Sequence, residues 1–275
     1  MRFPKLTQAF DILTQHPCFN NAVHDKVGRI HLPVAPRCNI QCNFCERNIC
    51  ASLKMKHPGW TAQLLSVEEA VNLVNSIIPM RQNRNFVVGV AGPGDPLANE
   101  QTFETLSLIH KESPNLMKCI STNGLLLEYK LNDIINVGIK ALTVTINAAD
   151  SNIGKKIYSW VTYMKKIYQG EDAARLLIKK QFDGVKKAVD AGLVIKVNTV
   201  LIPGVNDSCM QKLAMKISEA GVKMMNIMPL IPSGKMKNYK APSCEELKKI
   251  RQICEKIIPQ FRRCEQCRAD VIFLP

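Results

Sequence analysis

The chain alternates short β-branched or apolar runs with longer amphipathic stretches, and few folds accept that rhythm. Strands are expected at Arg29–Ala35, Phe86–Ala91, Met117–Thr122, Ala141–Asn147, Leu193–Leu201 and Lys223–Met228, with a last one at Asp270–Leu274. Between them the 3.6-residue pattern predicts helices over Ser66–Ile78, Asn99–Lys111, Leu131–Val137, Glu171–Ala191, Asp207–Ala220 and Ser243–Ile258. Ser66 with Glu69 reads as a capping box at the start of the first helix. Strands separated by helices of this length pair in parallel through right-handed crossovers. About six or seven such units in 275 residues point to an α/β protein, a full or partial (β/α) TIM-type barrel. A doubly wound open sheet is the competing arrangement, but no GxGxxG follows the first strand. The expected organisation is an N-terminal extension (1–28), a barrel (29–258) and a C-terminal tail (259–275).

Composition narrows the function classes. Apolar residues make up 46% of the chain, which excludes intrinsic disorder. No apolar stretch approaches the ~18 residues of a membrane span. The opening MRFPKLTQAFDILTQ carries charges where an export signal needs an apolar core, so a cytoplasmic location is expected. Eleven cysteines there suggest metal or redox chemistry rather than disulfides. The net charge, 37 − 23 = +14, raises a nucleic-acid reading. Aromatics are only 6%, however, and the lysine pairs 165–166, 179–180, 186–187 and 248–249 fall in helical stretches, where they read as solvated faces. No nucleic-acid partner and no membrane is expected.

The first strand runs into Cys38-Asn-Ile-Gln-Cys42-Asn-Phe-Cys45. Three thiolates at this spacing can wrap one face of a [4Fe–4S] cube and leave the fourth iron without a protein ligand. Zinc competes for such cysteines, but a structural zinc wants a fourth protein ligand. After the second strand comes Gly92-Pro-Gly94-Asp95-Pro96, a turn whose glycines allow close backbone approach. Later strand ends carry Ser121-Thr122-Asn123-Gly124, Thr145 with Asn147, and Val197 with Asn198. In a barrel these tips converge on one face. Cys18, Cys50, Cys119, Cys264 and Cys267 lie outside the triad, with His24 and His31 as further candidate ligands, enough for two incomplete ligand sets. Cys209, Cys244 and Cys254 sit in helical patterns and read as ordinary small apolar residues.

The CxxxCxxC spacing resembles the radical S-adenosylmethionine (SAM) enzymes, in which the open iron binds the methionyl group. The longer string, HPC…H…H-x-PVAP-x-CNIQCNFC with GPGDPL, STNGLLL, TVTINAAD-x-x-IGKKIYSWV, IPGVND and a terminal CxxCRAD, closely resembles the NifB family. That family comprises radical SAM maturases of the nitrogenase iron–molybdenum cofactor. The resemblance runs from about residue 16 to the end and implies a short, stand-alone form without a NifX-like domain. It implies three [4Fe–4S] clusters, one binding SAM and two auxiliary. Cys38, Cys42 and Cys45 would hold the first, with Phe44 near the adenine. Gly92, Gly94, Asp95, Asn123, Thr145, Asn147 and Val197 would contact SAM. Cys50, Cys264 and Cys267 with His24 or His31 would hold one auxiliary cluster; Cys18 and Cys119 would help to hold the other. Methyl transfer followed by 5′-deoxyadenosyl-radical hydrogen abstraction would insert a carbide and fuse the auxiliary clusters, with an added sulfur, into an [8Fe–9S–C] precursor.

The implied partners are an iron–sulfur cluster donor, an acidic carrier or scaffold of cofactor assembly, and an electron donor. Two other readings remain in view. One is a different radical SAM enzyme with auxiliary clusters, of peptide-modifying or molybdopterin type, which would carry more cysteines in its tail. The other is a passive iron–sulfur carrier, which needs no SAM pocket.

Overall fold

The computed structural model describes residues 12–51, 57–80 and 86–275; the first eleven residues of the expected extension lie outside them. Its main sheet has seven strands in the order β11-β10-β7-β6-β5-β1-β12. Six of these are parallel: β1 (Gly28–His31), β5 (Phe86–Val90), β6 (Met117–Thr122), β7 (Ala141–Thr145), β10 (Val194–Leu201) and β11 (Met224–Pro229). The sheet does not close on itself, so the barrel is a partial one. On β1 lies the short antiparallel β12 (Ile272–Phe273), which pairs Arg29 with Phe273 and Ile30 with Ile272. The tail thus returns to the strand on which the barrel begins.

Seven helices are described beyond residue 60: α1 (Val67–Ile77), α2 (Glu100–Glu112), α3 (Leu131–Asn136), α4 (Ser151–Ile157), α5 (Gly170–Asp190), α6 (Met210–Glu219) and α7 (Cys244–Glu255). They follow the expected segments closely, α4 excepted. The Ser66–Glu69 capping box is formed, and Ser243 with Glu246 makes a second one at α7. Outward-facing strand residues such as Ile30, Val88, Ile120, Leu142, Ile195, Val197 and Ile227 join the apolar sides of the helices in one core. Cys209 and Cys254 are buried in that core, whereas Cys244 is exposed at the start of α7.

Element ends differ from the sequence reading for local reasons. β1 stops at His31, because Pro33 two residues on has no N–H for a ladder. α7 stops short of Pro259, which cannot continue it. A larger departure is the antiparallel hairpin β8 (Tyr158–Tyr163) and β9 (Lys166–Gln169), which the sequence did not lead us to expect. It adds β2 (Ile40–Cys42), pairing Ile40 with Val161 and Cys42 with Tyr158. A two-residue parallel pair, β3 (Asn48–Ile49) with β4 (Trp60–Thr61), flanks the same loop.

Beyond the C-terminal ends of the central strands, loops are tied together by buried amides. Asn206 Oδ1 accepts from the Ile202 N–H (2.8 Å), while its Nδ2 donates to the carbonyls of Asn147 (3.0 Å) and Val200 (2.8 Å). Gln181 Nε2, reaching in from α5, donates to the carbonyls of Asn123 (2.7 Å) and Thr145 (2.9 Å). Burial makes such ties costly to break. Urea unfolding of the metal-free chain should therefore show Asn206→Ala losing about 2–4 kcal/mol, because buried backbone partners are stranded. Ser66→Ala, which removes one exposed cap, should lose about 1 kcal/mol. Equal losses would contradict this ranking.

Candidate functional site

A cavity of about 250 Å³ opens at the C-terminal ends of the parallel strands. Strand pleating selects what faces it. His31 of β1, Gly89 of β5, Cys119 and Ser121 of β6, Thr143 and Thr145 of β7, and Lys196 and Asn198 of β10 all line it. The N-terminal segment adds Cys18 and the tail adds Cys264 and Cys267. The first loop adds Cys38, Cys42, Phe44 and Cys45. Seven cysteines therefore share one wall. Pairing of His31 with Gly89 and of Gly89 with Cys119 puts these three in one row across the sheet. A Cβ at Gly89 would stand 3.2 Å from Cys119 Sγ and 3.4 Å from His31 Cδ2. A glycine inside a strand marks such a close approach.

The Cys38–Cys45 loop is held by backbone contacts from three sides. Asn43 N–H donates to the Ile157 carbonyl (2.7 Å), joining the loop to the end of α4. Gln41 Nε2 donates to the Cys42 and Cys45 carbonyls, both at 2.9 Å. From the second loop, Gly94 N–H donates to the Ala35 carbonyl (2.6 Å) and Asp95 N–H to the Arg37 carbonyl (2.9 Å). A side chain at Gly94 is impossible there, since its Cβ would stand 2.1 Å from the Arg37 oxygen. Asn99 completes the clamp by donating to the Arg37 and Asp95 carbonyls.

Asp95 organises the strand tips. Its carboxylate accepts from the Thr122 hydroxyl, the Asn123 N–H (2.6 Å) and the Leu97 N–H (3.0 Å). Asn123 in turn places its amide 3.8 Å from Cys38 Sγ and 2.6 Å from Asn39 Oδ1. Phe44, Gly94, Asp95, Asn123, Thr145 and Asn147 all line the cavity, as a SAM-contacting set would. Two expected contacts do not. Val197 faces the apolar core, and pleating presents its neighbour Asn198 instead. Gly92 stands behind the wall, where an added Cβ would meet Ala269 and Pro58.

Burial governs the thiols. It pushes Cys38 up to about 12 and Cys267 up to about 11, and raises Cys18, Cys42, Cys45 and Cys119 as well. Reactive cysteines need the opposite shift, so these are not poised nucleophiles. A metal supplies the positive charge that makes such thiols thiolates. Among the described residues, no three His, Cys, Asp or Glu side chains gather tightly enough to hold one metal ion. A zinc site would require that gathering, whereas a cube spreads its ligands over four irons.

The thiols fall into two groups that sense each other's charge. Cys38, Cys42 and Cys45 form one. Cys18 with Cys119, Cys264 and Cys267 forms the other. The sequence reading had separated Cys18 and Cys119 from the tail pair. Cys50 lies outside the cavity lining, and Arg268 Nη2 donates to its carbonyl (2.8 Å). His24 is also off the cavity, donating Nδ1 to the Pro17 carbonyl (2.8 Å) and packing edge-on against Phe261. His31 Nδ1 is paired with the Arg268 carbonyl (3.0 Å), a tautomer that leaves Nε2 with a free lone pair. Sequence reasoning missed the clamp residues Asn99 and Gln181 and the cavity cation Lys196. Each lies in a helix or strand pattern with no motif to mark it.

Desolvation holds the Asp95 carboxyl up at about 6 despite its three donors. The folded chain therefore binds this proton more tightly than the unfolded chain does. The site's contribution to stability is greatest below about pH 4 and declines as pH rises to about 6. Asp95→Asn removes that slope, so wild type should lose ground to the variant across this interval in thermal melts. A difference between the two that stays flat would contradict the shift.

Comparison with known proteins places the chain. A model of the radical SAM superfamily matches residues 32–217. The FeMo cofactor biosynthesis protein NifB of Methanocaldococcus infernus is 49% identical over 270 residues, covering 98% of this chain and 89% of that protein. Its namesake from Klebsiella pneumoniae is 40% identical over 95% of this chain, which spans 57% of that longer protein. Among solved structures, a radical SAM methyltransferase from Sphaerobacter thermophilus matches with a TM-score of 0.54 at 21% identity, covering 86% of this chain and 65% of that one. Streptococcus suis SuiB bound to S-adenosylmethionine gives a TM-score of 0.60 at 10% identity, covering 88% and 52%. Those two likenesses concern the fold alone. With a superfamily match across two thirds of its length and near-half identity to a relative over nearly all of it, the chain belongs to the NifB family of radical SAM proteins.

Proposed function

We propose that this chain builds the precursor of the nitrogenase iron–molybdenum cofactor: a SAM methyl group supplies the carbide carbon while two [4Fe–4S] substrate clusters and one added sulfide join into an [8Fe–9S–C] unit. The observation that carries the reading is the shared wall: the radical-type triad and four further cysteines face one cavity. A carrier of clusters needs no such union of a SAM-type loop with a second thiol group.

Each part of the chain has a role in this reading. Cys38, Cys42 and Cys45 hold the SAM-binding cluster, and Phe44 flanks the adenine. That cluster, once bound, supplies the electron that cleaves SAM. Asp95 orients the Asn123 amide, which donates toward Cys38. Gly94 brings the second loop onto the first, and that loop would hold the methionyl end of SAM. Cys18, Cys119, Cys264 and Cys267 hold the substrate clusters with His31. Cys50 stands off the cavity lining, and Arg268 of the tail ties its backbone to the same edge. Sparse ligation suits cargo that must fuse and leave. A histidine ligand suits it further, because imidazole is neutral and takes up a proton when released.

His31 rather than His24 is the nitrogen ligand in this reading, because only His31 lines the cavity. The net charge of +14 suits an acidic carrier for the product and a donor of anionic clusters. An electron donor completes the set of partners. The test is anaerobic reconstitution followed by SAM and reductant. Both S-adenosylhomocysteine and 5′-deoxyadenosine should form, and His31→Ala should lose precursor synthesis while His24→Ala retains it. Formation of only one nucleoside product would contradict the two uses of SAM. Loss of precursor in His24→Ala alone would contradict the ligand assignment.

A further inference from the structure

Lys196 is a buried cation on the cavity wall that neither the SAM chemistry nor the thiol sets use. It projects from the middle of β10, is 3% exposed and lines the cavity. One of its three donors is spent on the Cys18 carbonyl, at 2.7 Å. Its ammonium also stands over two rings, 5.2 Å from the centre of Phe19 and 4.8 Å from that of Phe261. Among the described residues no carboxylate pairs with it. By contrast Arg29, another buried cation of this region, reaches Glu265 at 3.2 Å. Arg29 is also held by the His24 carbonyl (3.1 Å).

An ammonium this deep without a counter-ion is expensive, and rings with one carbonyl offset only part of the cost. What lies within reach of its charge tells what would complete it. The Lys196 ammonium is bonded to the backbone of Cys18, and Cys18, Cys119 and Lys196 all line the same cavity. These two cysteines stand on different elements, one in the N-terminal segment and one on β6, and the cavity that both line is the one Lys196 lines. Two thiolates are a meagre set for a four-iron cube, and with only two thiolates the cube becomes net negative once its core is reduced.

We propose that Lys196 is the counter-charge that holds an anionic iron–sulfur substrate against Cys18 and Cys119. The inference rests on the proposed function and deepens it. A fixed charge does here what a third and fourth thiolate would do elsewhere. It retains the substrate by attraction, without a bond that must be broken when the clusters fuse. The cost of burying the ammonium falls when the cluster arrives, so its charge favours loading. By carrying the Cys18 carbonyl, the same side chain also sets that ligand's position.

Charge near a cluster also sets its potential, which provides a readout that a merely structural lysine would not move. Lys196→Met keeps the stem and removes the charge, whereas Lys196→Arg keeps the charge. Each variant, as the full chain reconstituted with iron and sulfide, is titrated by potential under electron paramagnetic resonance and then challenged with an iron chelator. Lys196→Met should show one auxiliary cluster with a more negative midpoint potential and faster loss of about four of about twelve irons. Lys196→Arg should return both toward wild type. An unchanged potential and unchanged iron loss in Lys196→Met would overturn the proposal, as would an arginine variant that behaves like the methionine one. If Lys196→Met fails to fold, the arginine variant decides alone: a wild-type potential upholds the proposal and a negative shift overturns it. Wild type that takes up only about four irons would sink the proposed function itself, and this inference with it.

Discussion

Burying seven thiols beside an ammonium imposes a charge balance on the cavity, and much of the surrounding structure serves it. Desolvation raises the thiols, and among the described residues no carboxylate pairs with Lys196. In the proposed reading, iron would supply the charge that makes the thiols thiolates, and the lysine would then gain its partner. Asp95 is the acid that lines this cavity, and its lone pairs are committed to Thr122, Asn123 and Leu97. It therefore acts as a fixed strut between the second loop and the tip of β6.

The scaffold explains how residues more than two hundred positions apart meet. Parallel strands send alternate side chains to one face, so β1, β5, β6, β7 and β10 each contribute one or two groups to a common wall. Gly89 leaves room in the middle of that wall for His31 and Cys119 to face the same space. The chain's two ends complete it. The His31 N–H donates to the Val271 carbonyl (2.8 Å), which seats the tail on β1. Arg268 binds Asp270 and the Cys50 carbonyl, and Asp270 accepts from the Ala62 N–H. One short tail thus fastens the β3–β4 flank to the barrel edge while carrying Cys264 and Cys267 to the cavity.

The parts legible in the sequence are those where periodicity and chemistry agree. Six parallel strands, the long helices and the CxxxCxxC loop all announced themselves, because β-branched runs, capping residues and clustered thiols have few other uses. The β8–β9 hairpin did not. Its turn residues Met164 and Lys165 adopt positive φ without being glycine or asparagine, so the usual turn signal is missing. Val197 shows a different limit. Alternation along β10 was clear, but its phase depends on which face encloses the cavity, and that is decided by the neighbouring strands. His24 and His31 were equivalent on paper for the same reason. Their separation comes from tertiary contacts, the Pro17 carbonyl for one and the cavity wall for the other. Lys196 was invisible as a site because a lone lysine in a strand pattern has no spacing to betray it.

The central claim is that one cavity serves two separable sets of cysteines, one for SAM cleavage and one for cargo. Counting iron after anaerobic reconstitution tests it most directly, with wild type beside a variant carrying Cys38→Ala, Cys42→Ala and Cys45→Ala. The account predicts about twelve irons per chain in wild type and about eight in the variant. About four irons in wild type, falling to none in the variant, would contradict it.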